Sequence, residues 1–253
     1  MLTTVAQSRR DFLLRNRGES NGRILEIGPL DNPTFRPELG DRVEYLDFFS
    51  RTELVKAHRN NPRRNLDAAV EVDHVVKTAR FAEKISAGFA CVVAHHVIEH
   101  VPDPILWLEQ VASLLQNDGV LYLSVPDRRY TFDYFRPVSL ATQMMRAYAE
   151  RLERPSVWQL TEAFYYHMKV DLAALWLGRV PPRFVPRFSL ADARRLAETK
   201  CSTYTDVHCW VFTSSSFIRC IEDLRSAGLC SFSMNVMEEP QSGTNEFRVL
   251  LTQ

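Results

Sequence analysis

The 253-residue chain is short of the features that mark several protein classes. It has nine glycines, and none sits in a G-x-G-x-x-G run, so the loop that passes a dinucleotide pyrophosphate is missing and a nicotinamide dehydrogenase is disfavoured. Its five cysteines (Cys91, Cys201, Cys209, Cys220 and Cys230) are odd in number and hold no C-x-x-C pair. Reduced thiols are therefore expected, not a disulfide framework or a zinc ribbon. Net charge is also missing, since 31 basic residues offset 31 acidic ones. No global field draws in nucleic acid or an anionic membrane, and no local basic patch is obvious. The apolar patch Phe12 to Leu14 is too short for a signal peptide, and the stretch Val170 to Val180 is roughly half of what a bilayer span needs. The expectation is a cytoplasmic protein with no nucleic-acid partner and no membrane insertion.

What is present is ordinary for a globular chain: 45% hydrophobic and 25% charged residues, enough for one large domain with an insertion. Its first half alternates β-rich runs with helical patterns, which is the pattern of a parallel sheet covered by helices. Arg23 to Ile27, Val43 to Asp47, Ala69 to Val72, Phe89 to Ala94 and Val120 to Val125 read as strands one to five. Between the last two, Ile105, Leu108, Val111, Ala112 and Leu115 recur at helical spacing, with Asp118-Gly119 as stop and turn.

From Asp127 to about Asp206 the alternation gives way to aromatic, proline-punctuated helical text, with helices expected over Leu140 to Leu152 and Val157 to Leu177. Sheet patterning then resumes: a helix over Ser214 to Ala227, Gly228 as its stop, and strands over Ser231 to Met237 and Glu246 to Leu251 forming a hairpin. The expected fold is α/β, a Rossmann-like seven-stranded, mostly parallel sheet with helices on both faces and a helical cap insertion. Residues 1–126 and 207–253 would form the main domain and 127–206 a lid over the acceptor site or a dimer surface.

Three segments carry chemistry. Leu25-Glu26-Ile27-Gly28-Pro29-Leu30 follows a strand, where a glycine lets the backbone approach a ligand closely. A single glycine suits a ligand without a diphosphate, and S-adenosylmethionine fits that description; an ordinary strand-to-helix turn reads the same way. Asp47 ends the second strand about twenty residues on, where a carboxylate can accept from ribose hydroxyls. Asp73 could take the adenine amino group, with Glu71 as a competitor. The third segment is Ala94-His95-His96-Val97-Ile98-Glu99-His100-Val101-Pro102-Asp103-Pro104.

With E-I-G-P before it and D-G-V-L-Y-L-S-V-P-D after it, this string resembles class I S-adenosylmethionine-dependent methyltransferases from about Arg23 to Asp127. Asp206-Val-His-Cys-Trp-Val-Phe-Thr with Asn245-Glu246-Phe247 is similar, more narrowly, to bacterial members that accompany glycosyltransferases. The resemblance implies that Glu26, Gly28 and Pro29 line the methionine end of the cofactor. It also implies that Asp47 and Phe48 hold the ribose side, Asp73 and His74 lie near adenine, and His95 and His96 face the sulfonium. Pro29, Leu30 and Pro33 depart from the two or three glycines usual in that loop. The implied reaction is O-methylation of a small molecule or saccharide acceptor.

Transfer from a sulfonium is a direct displacement, so the protein aligns the acceptor and removes a hydroxyl proton. Histidine suits that task near neutral pH. His96, His100 and His208 are the candidates, and His167 is also available. His100 could equally tie down the next helix, and His208 beside Trp210 and Phe212 could be structural. Arg128 to Arg136 leave the fifth strand with Tyr130, Phe132 and Phe135, which either meet a polar ring or pack the insertion. His96 to His100 also spells H-x-x-E-H, the inverted zinc-peptidase pattern, but the prolines that follow oppose the continuous helix it needs. Some ubiquinone-pathway O-methyltransferases hold a divalent ion in this segment, so His96, Glu99 and His100 could bind a metal; none is expected. A metal hydrolase and a non-catalytic cofactor-binding scaffold are the competing functions.

Overall fold

In the computed structural model, residues 2–18, 22–62 and 64–253 are described. Seven strands form one sheet: β1 (Ile24–Ile27), β2 (Val43–Asp47), β3 (His74–Val75), β4 (Phe89–His95), β5 (Leu115–Pro126), β6 (Ser233–Glu238) and β7 (Glu246–Thr252), in the order β3-β2-β1-β4-β5-β7-β6. The pairs β1/β2, β1/β4 and β2/β3 are parallel. All five free cysteines match the expectation of thiols. No described helix is long and apolar enough to cross a membrane.

Two compact units divide the chain: Met1–His95 with Glu109–Leu123 and Leu250–Gln253, and His96–Leu108 with Ser124–Val249. In the first, every residue of β1 and nearly all of β4 are buried, as expected of strands covered on both faces. Helix α1 (Thr4–Arg17) is a feature that the sequence reading did not anticipate. Thr3 caps it by accepting from the Ala6 N–H, and its Phe12 ring stacks 5.3 Å from Tyr122. Helix α2 (Arg51–His58) starts at a capping box of Ser50 and Glu53.

Two strand expectations need correction. Ala69 to Val72 is not a strand, because its backbone serves loop contacts: Val70 N–H donates to Leu30 O (2.9 Å), and Ala69 O accepts from Arg51 Nε (2.8 Å). The third strand is the two-residue β3, registered as Leu46↔His74 and Asp47↔Val75. Strand β5 begins at Leu115, so Asp118-Gly119 bends the element instead of preceding it. Asp118 has φ +56°, and a Cβ on Gly119 would lie 2.8 Å from the Gln116 carbonyl oxygen, which explains the glycine.

In the second unit, helix α3 (Pro104–Leu114) starts with proline at its first position and Asp103 as cap, Asp103 Oδ1 accepting from Leu106 N–H at 3.1 Å; its last six residues belong to the first unit. Helices α4 (Ala141–Glu150), α5 (Val157–Tyr166), α6 (Leu172–Trp176), α7 (Leu190–Lys200) and α8 (Ser214–Ser226) follow. The helix expected over Val157 to Leu177 is two helices, because Asp171 turns its carboxylate onto the N–H groups of Ala173 and Ala174 and starts α6 afresh. Phe217, Cys220, Ile221 and Leu224 of α8 are buried at the spacing of one helical face, and Gly228 at φ +71° ends the turn.

Candidate active site

The β1 turn of the first unit is built around Glu26. Its carboxylate is 1% exposed, and its two oxygens accept from the N–H groups of Thr34 (2.7 Å) and Phe35 (3.0 Å). Burial pushes its pKa up to about 7 against the pull of those two donors. Glu26 thus ties residues 34 and 35 back beneath the loop that opens at Gly28, whose φ of +68° suits glycine. Leu30 holds φ +46° without being glycine. Tyr45 reinforces the same loop through its hydroxyl, which donates to Phe35 O at 2.7 Å.

Asp47 lies at the end of β2, where Oδ1 accepts from Phe49 N–H at 3.0 Å and burial raises its carboxyl above the ordinary range. Phe48 beside it is 46% exposed. Such a carboxylate next to an exposed ring fits a ribose and its base. Asp73 Oδ2 accepts from Tyr45 N–H at 2.8 Å, so it also fixes β2. His74 Nε2 is 2.8 Å from Glu44 Oε2. His95 ends β4 with its ring edge-on to Tyr122, centroids 4.9 Å apart.

The second unit gathers His96, His100 and His208 around Glu99. After β4 the chain turns at His96, φ +55°, and runs through one tight turn, Ile98–His100, before α3. The H-x-x-E-H string is therefore not a continuous helix. Residues 99–102 are stitched to the returning chain: Glu99 O accepts from the N–H groups of Cys209 (2.7 Å) and Trp210 (3.2 Å), and Val101 O accepts from the Trp210 indole (2.7 Å). Gln159 of α5, fully buried, donates to Pro102 O at 3.2 Å. These bonds set the His100 and His208 rings 4.8 Å apart, edge to face. His100 does not cap α3; Asp103 does.

Glu99 is 1% exposed, and neither of its oxygens has a hydrogen-bond partner among the described residues. His96 Nδ1 and His100 Nε2 each stand 3.7 Å from its Oε1. His96 points its other nitrogen, Nε2, at Glu246 Oε2, 2.8 Å away. Desolvation pulls the His100 pKa down, but Asp206, whose Oδ1 is 2.8 Å from Nδ1, and the Glu99 charge outweigh it and raise it to about 9. That direction favours the protonated His100 ring at neutral pH.

His208 Nδ1 meets Asp133 Oδ2 at 2.6 Å with both groups buried, and because a carboxylate only accepts, Nδ1 carries the proton of this bond. Arg136, 1% exposed, donates to His208 O (2.6 Å) and Cys209 O (3.1 Å) and stands 3.7 Å from Asp133, so one buried guanidinium fixes both halves of the pair. His167 is separated from His208 by the Phe132 ring, 4.6 Å and 4.5 Å from the two imidazoles. Burial holds His167 below its ordinary pKa. The ligand atoms of Glu99, His100 and His208 lie within 4.8 Å of one another, a spacing that a divalent ion could bridge only if His100 gave up its proton.

The aromatic residues leaving β5 mainly pack the insertion. Tyr130 stacks on Trp176 at 4.2 Å, Phe132 sits against His167 and His208, and Phe135 meets Phe184 at 5.6 Å. Asp133 as the partner of His208, and Glu246 as the partner of His96, were not singled out for these roles by sequence. Each pairing spans a long separation, 75 and 150 residues, and no local spacing signals it.

A family model described as a methyltransferase domain matches residues 2–224. The chain belongs to that family. The resemblance to class I S-adenosylmethionine-dependent methyltransferases stands with it, while the narrower link to glycosyltransferase-associated members finds no support in the comparisons. Among similar proteins, the ubiquinone biosynthesis O-methyltransferase of Xanthomonas campestris pv. campestris strain B100 is 31% identical over 125 residues, covering 47% of this chain and 49% of the relative. Its namesake from Xanthomonas axonopodis pv. citri is 35% identical over 125 residues, with the same coverage of each chain. The matched region spans about half the length of these relatives. A solved structure from Rhodobacter sphaeroides, described as a zinc-dependent alcohol dehydrogenase, matches at a TM-score of 0.51 with 12% identity over 100% of this chain and 91% of that one. At that identity the likeness is one of fold.

Proposed function

We propose that this protein is a cytoplasmic S-adenosylmethionine-dependent O-methyltransferase acting on a small-molecule or saccharide hydroxyl. S-adenosylmethionine supplies an activated methyl group: the acceptor oxygen forms a bond to the methyl carbon, the sulfur–carbon bond breaks, and S-adenosylhomocysteine leaves. In this reading, the Glu26-braced loop at Gly28 and Pro29 holds the methionine end. Asp47 and Phe48 hold the nucleoside, with Asp73, His74 and His95 nearby, and residues 127–206 receive the acceptor. His208 Nε2 takes the acceptor proton while Asp133 orients the ring and stabilises the imidazolium that forms. His96 and His100 are positioning groups, the latter a fixed positive charge.

The observation that carries this reading is the buried Asp133–His208 pair within a methyltransferase-domain chain. The preference for oxygen is supported by the names of the Xanthomonas relatives; the saccharide preference rests only on the tail resemblance. The experiment is calorimetric titration with S-adenosylmethionine and S-adenosylhomocysteine, repeated on Asp47→Ala. Saturable binding weakened at least tenfold by the substitution, about 1.4 kcal/mol, is expected. A folded protein that binds neither ligand would end the proposal.

A further inference from the structure

The balanced net charge hides a one-sided segment. Between Asp171 and Asp192 there is no acidic residue, while Arg179, Arg183 and Arg187 recur every four positions through L-G-R-V-P-P-R-F-V-P-R-F-S-L. All three arginines are exposed, and none pairs with a carboxylate among the described residues. The flanking acids are already engaged: Asp171 caps α6, and Asp192 bonds Ser189 and Arg195.

Interleaved with these charges are four large apolar side chains that face solvent: Leu177 (68% exposed), Val180 (51%), Val185 (59%) and Leu190 (58%). Scattered exposed apolar residues need no explanation, but these four fall within fourteen positions, among three arginines of which Arg187 lies 5.2 Å over the Phe188 ring. The segment is held, not loose. Phe184 turns inward against Phe135, Tyr165 and Tyr166 at 5.3–5.6 Å, and Pro181, Pro182 and Pro186 restrict the backbone on either side. What stays outside is a basic rim carrying short apolar points.

We infer that residues 177–190 dock the protein onto an anionic lipid surface. The arginines meet phosphate headgroups, and Leu177, Val180, Val185 and Leu190 enter the boundary beneath them. Both signals are needed for stable attachment, because neither three charges nor four small apolar side chains hold a protein on a bilayer alone. The attachment is peripheral, since the apolar stretch is too short to span.

The test is co-sedimentation of the whole chain with phosphatidylcholine vesicles, with and without phosphatidylglycerol, at low and high salt. Binding to the anionic vesicles about a hundredfold above the neutral ones at low salt is expected, on three arginines near the surface. The triple variant Arg179→Gln/Arg183→Gln/Arg187→Gln should remove that preference, and Val180→Ser/Val185→Ser should weaken binding about tenfold while the salt dependence persists. These side chains are exposed, so the variants keep the fold, and circular dichroism checks this. Equal binding by wild type and triple variant, or no anionic preference, overturns the inference. So does binding to soluble polyglutamate or heparin as tight as to vesicles, which would make the segment a site for an acidic macromolecule.

Discussion

Replacing Glu26 by glutamine should make the stability curve of the protein cross that of the wild type as pH changes. The Glu26 pKa is raised from 4.5 to about 7. The folded state therefore keeps its proton at pH values where the unfolded chain has lost it. The stability linked to that proton is fully present below pH 4.5 and is lost as pH rises through about 7. The interval corresponds to about 3 kcal/mol for this buried group. Glutamine does not titrate, so the loss disappears in Glu26→Gln. The amide, however, has one acceptor oxygen where the carboxyl group serves two donors, so either the Thr34 or the Phe35 N–H is left unpaired, at a cost of about 1–3 kcal/mol at every pH. The variant should thus be less stable than wild type below pH 4.5 and equal to it or more stable above pH 7. Urea midpoints measured across this range on ligand-free protein read the difference directly, provided that the m-values agree. Parallel curves would refute the reasoning and would mean that Glu26 titrates in the folded state as it does in the unfolded chain.

His208→Gln and Asp133→Asn should each lower kcat by about 10²–10⁴ in a single-turnover assay, with cofactor affinity in calorimetry unchanged; a tenfold loss of cofactor affinity instead would assign the pair to binding. Arg136→Met leaves the His208 and Cys209 carbonyls and Asp133 without their buried donor, so a loss of about 3–5 kcal/mol in chemical denaturation is expected, and a loss below 1 kcal/mol would contradict the bonding described. Metal analysis of purified protein should find no stoichiometric divalent ion; a bound ion that disappears in Glu99→Gln would move the chemistry to the Glu99, His100 and His208 cluster.

Strands β1 and β4 were legible because burial on both faces leaves a run of apolar residues: I-L-E-I and F-A-C-V-V-A sit almost where their patterns put them, and the half-buried V-E-Y-L-D of β2 does so as well. The third strand was not, because a two-residue strand has no period to detect and the alternation in A-V-E-V belongs to a loop. Helix α1 escaped because its polar face is long and its buried residues, Ala6, Arg9, Phe12 and Leu13, include an arginine. The histidines could be named from sequence as candidates but not ranked. What separates them is a partner distant in the chain: Asp206 helps to raise the His100 pKa, and Asp133 holds a proton on Nδ1 of His208. Glu26 was visible as a polar residue in an apolar strand, yet its bond partners eight and nine residues on were not.

The chain leaves β5 at Asp127 and returns at Phe212, and these two residues pair directly as an isolated parallel bridge, with Arg128 N–H donating to Phe212 O at 2.8 Å. Departure and return therefore share one doorway. A segment attached this way can be lengthened, shortened or exchanged without altering the spacing of the strands that it leaves and rejoins. The residues between Asp127 and Phe212 can thus vary in number while the two ends stay fixed to each other.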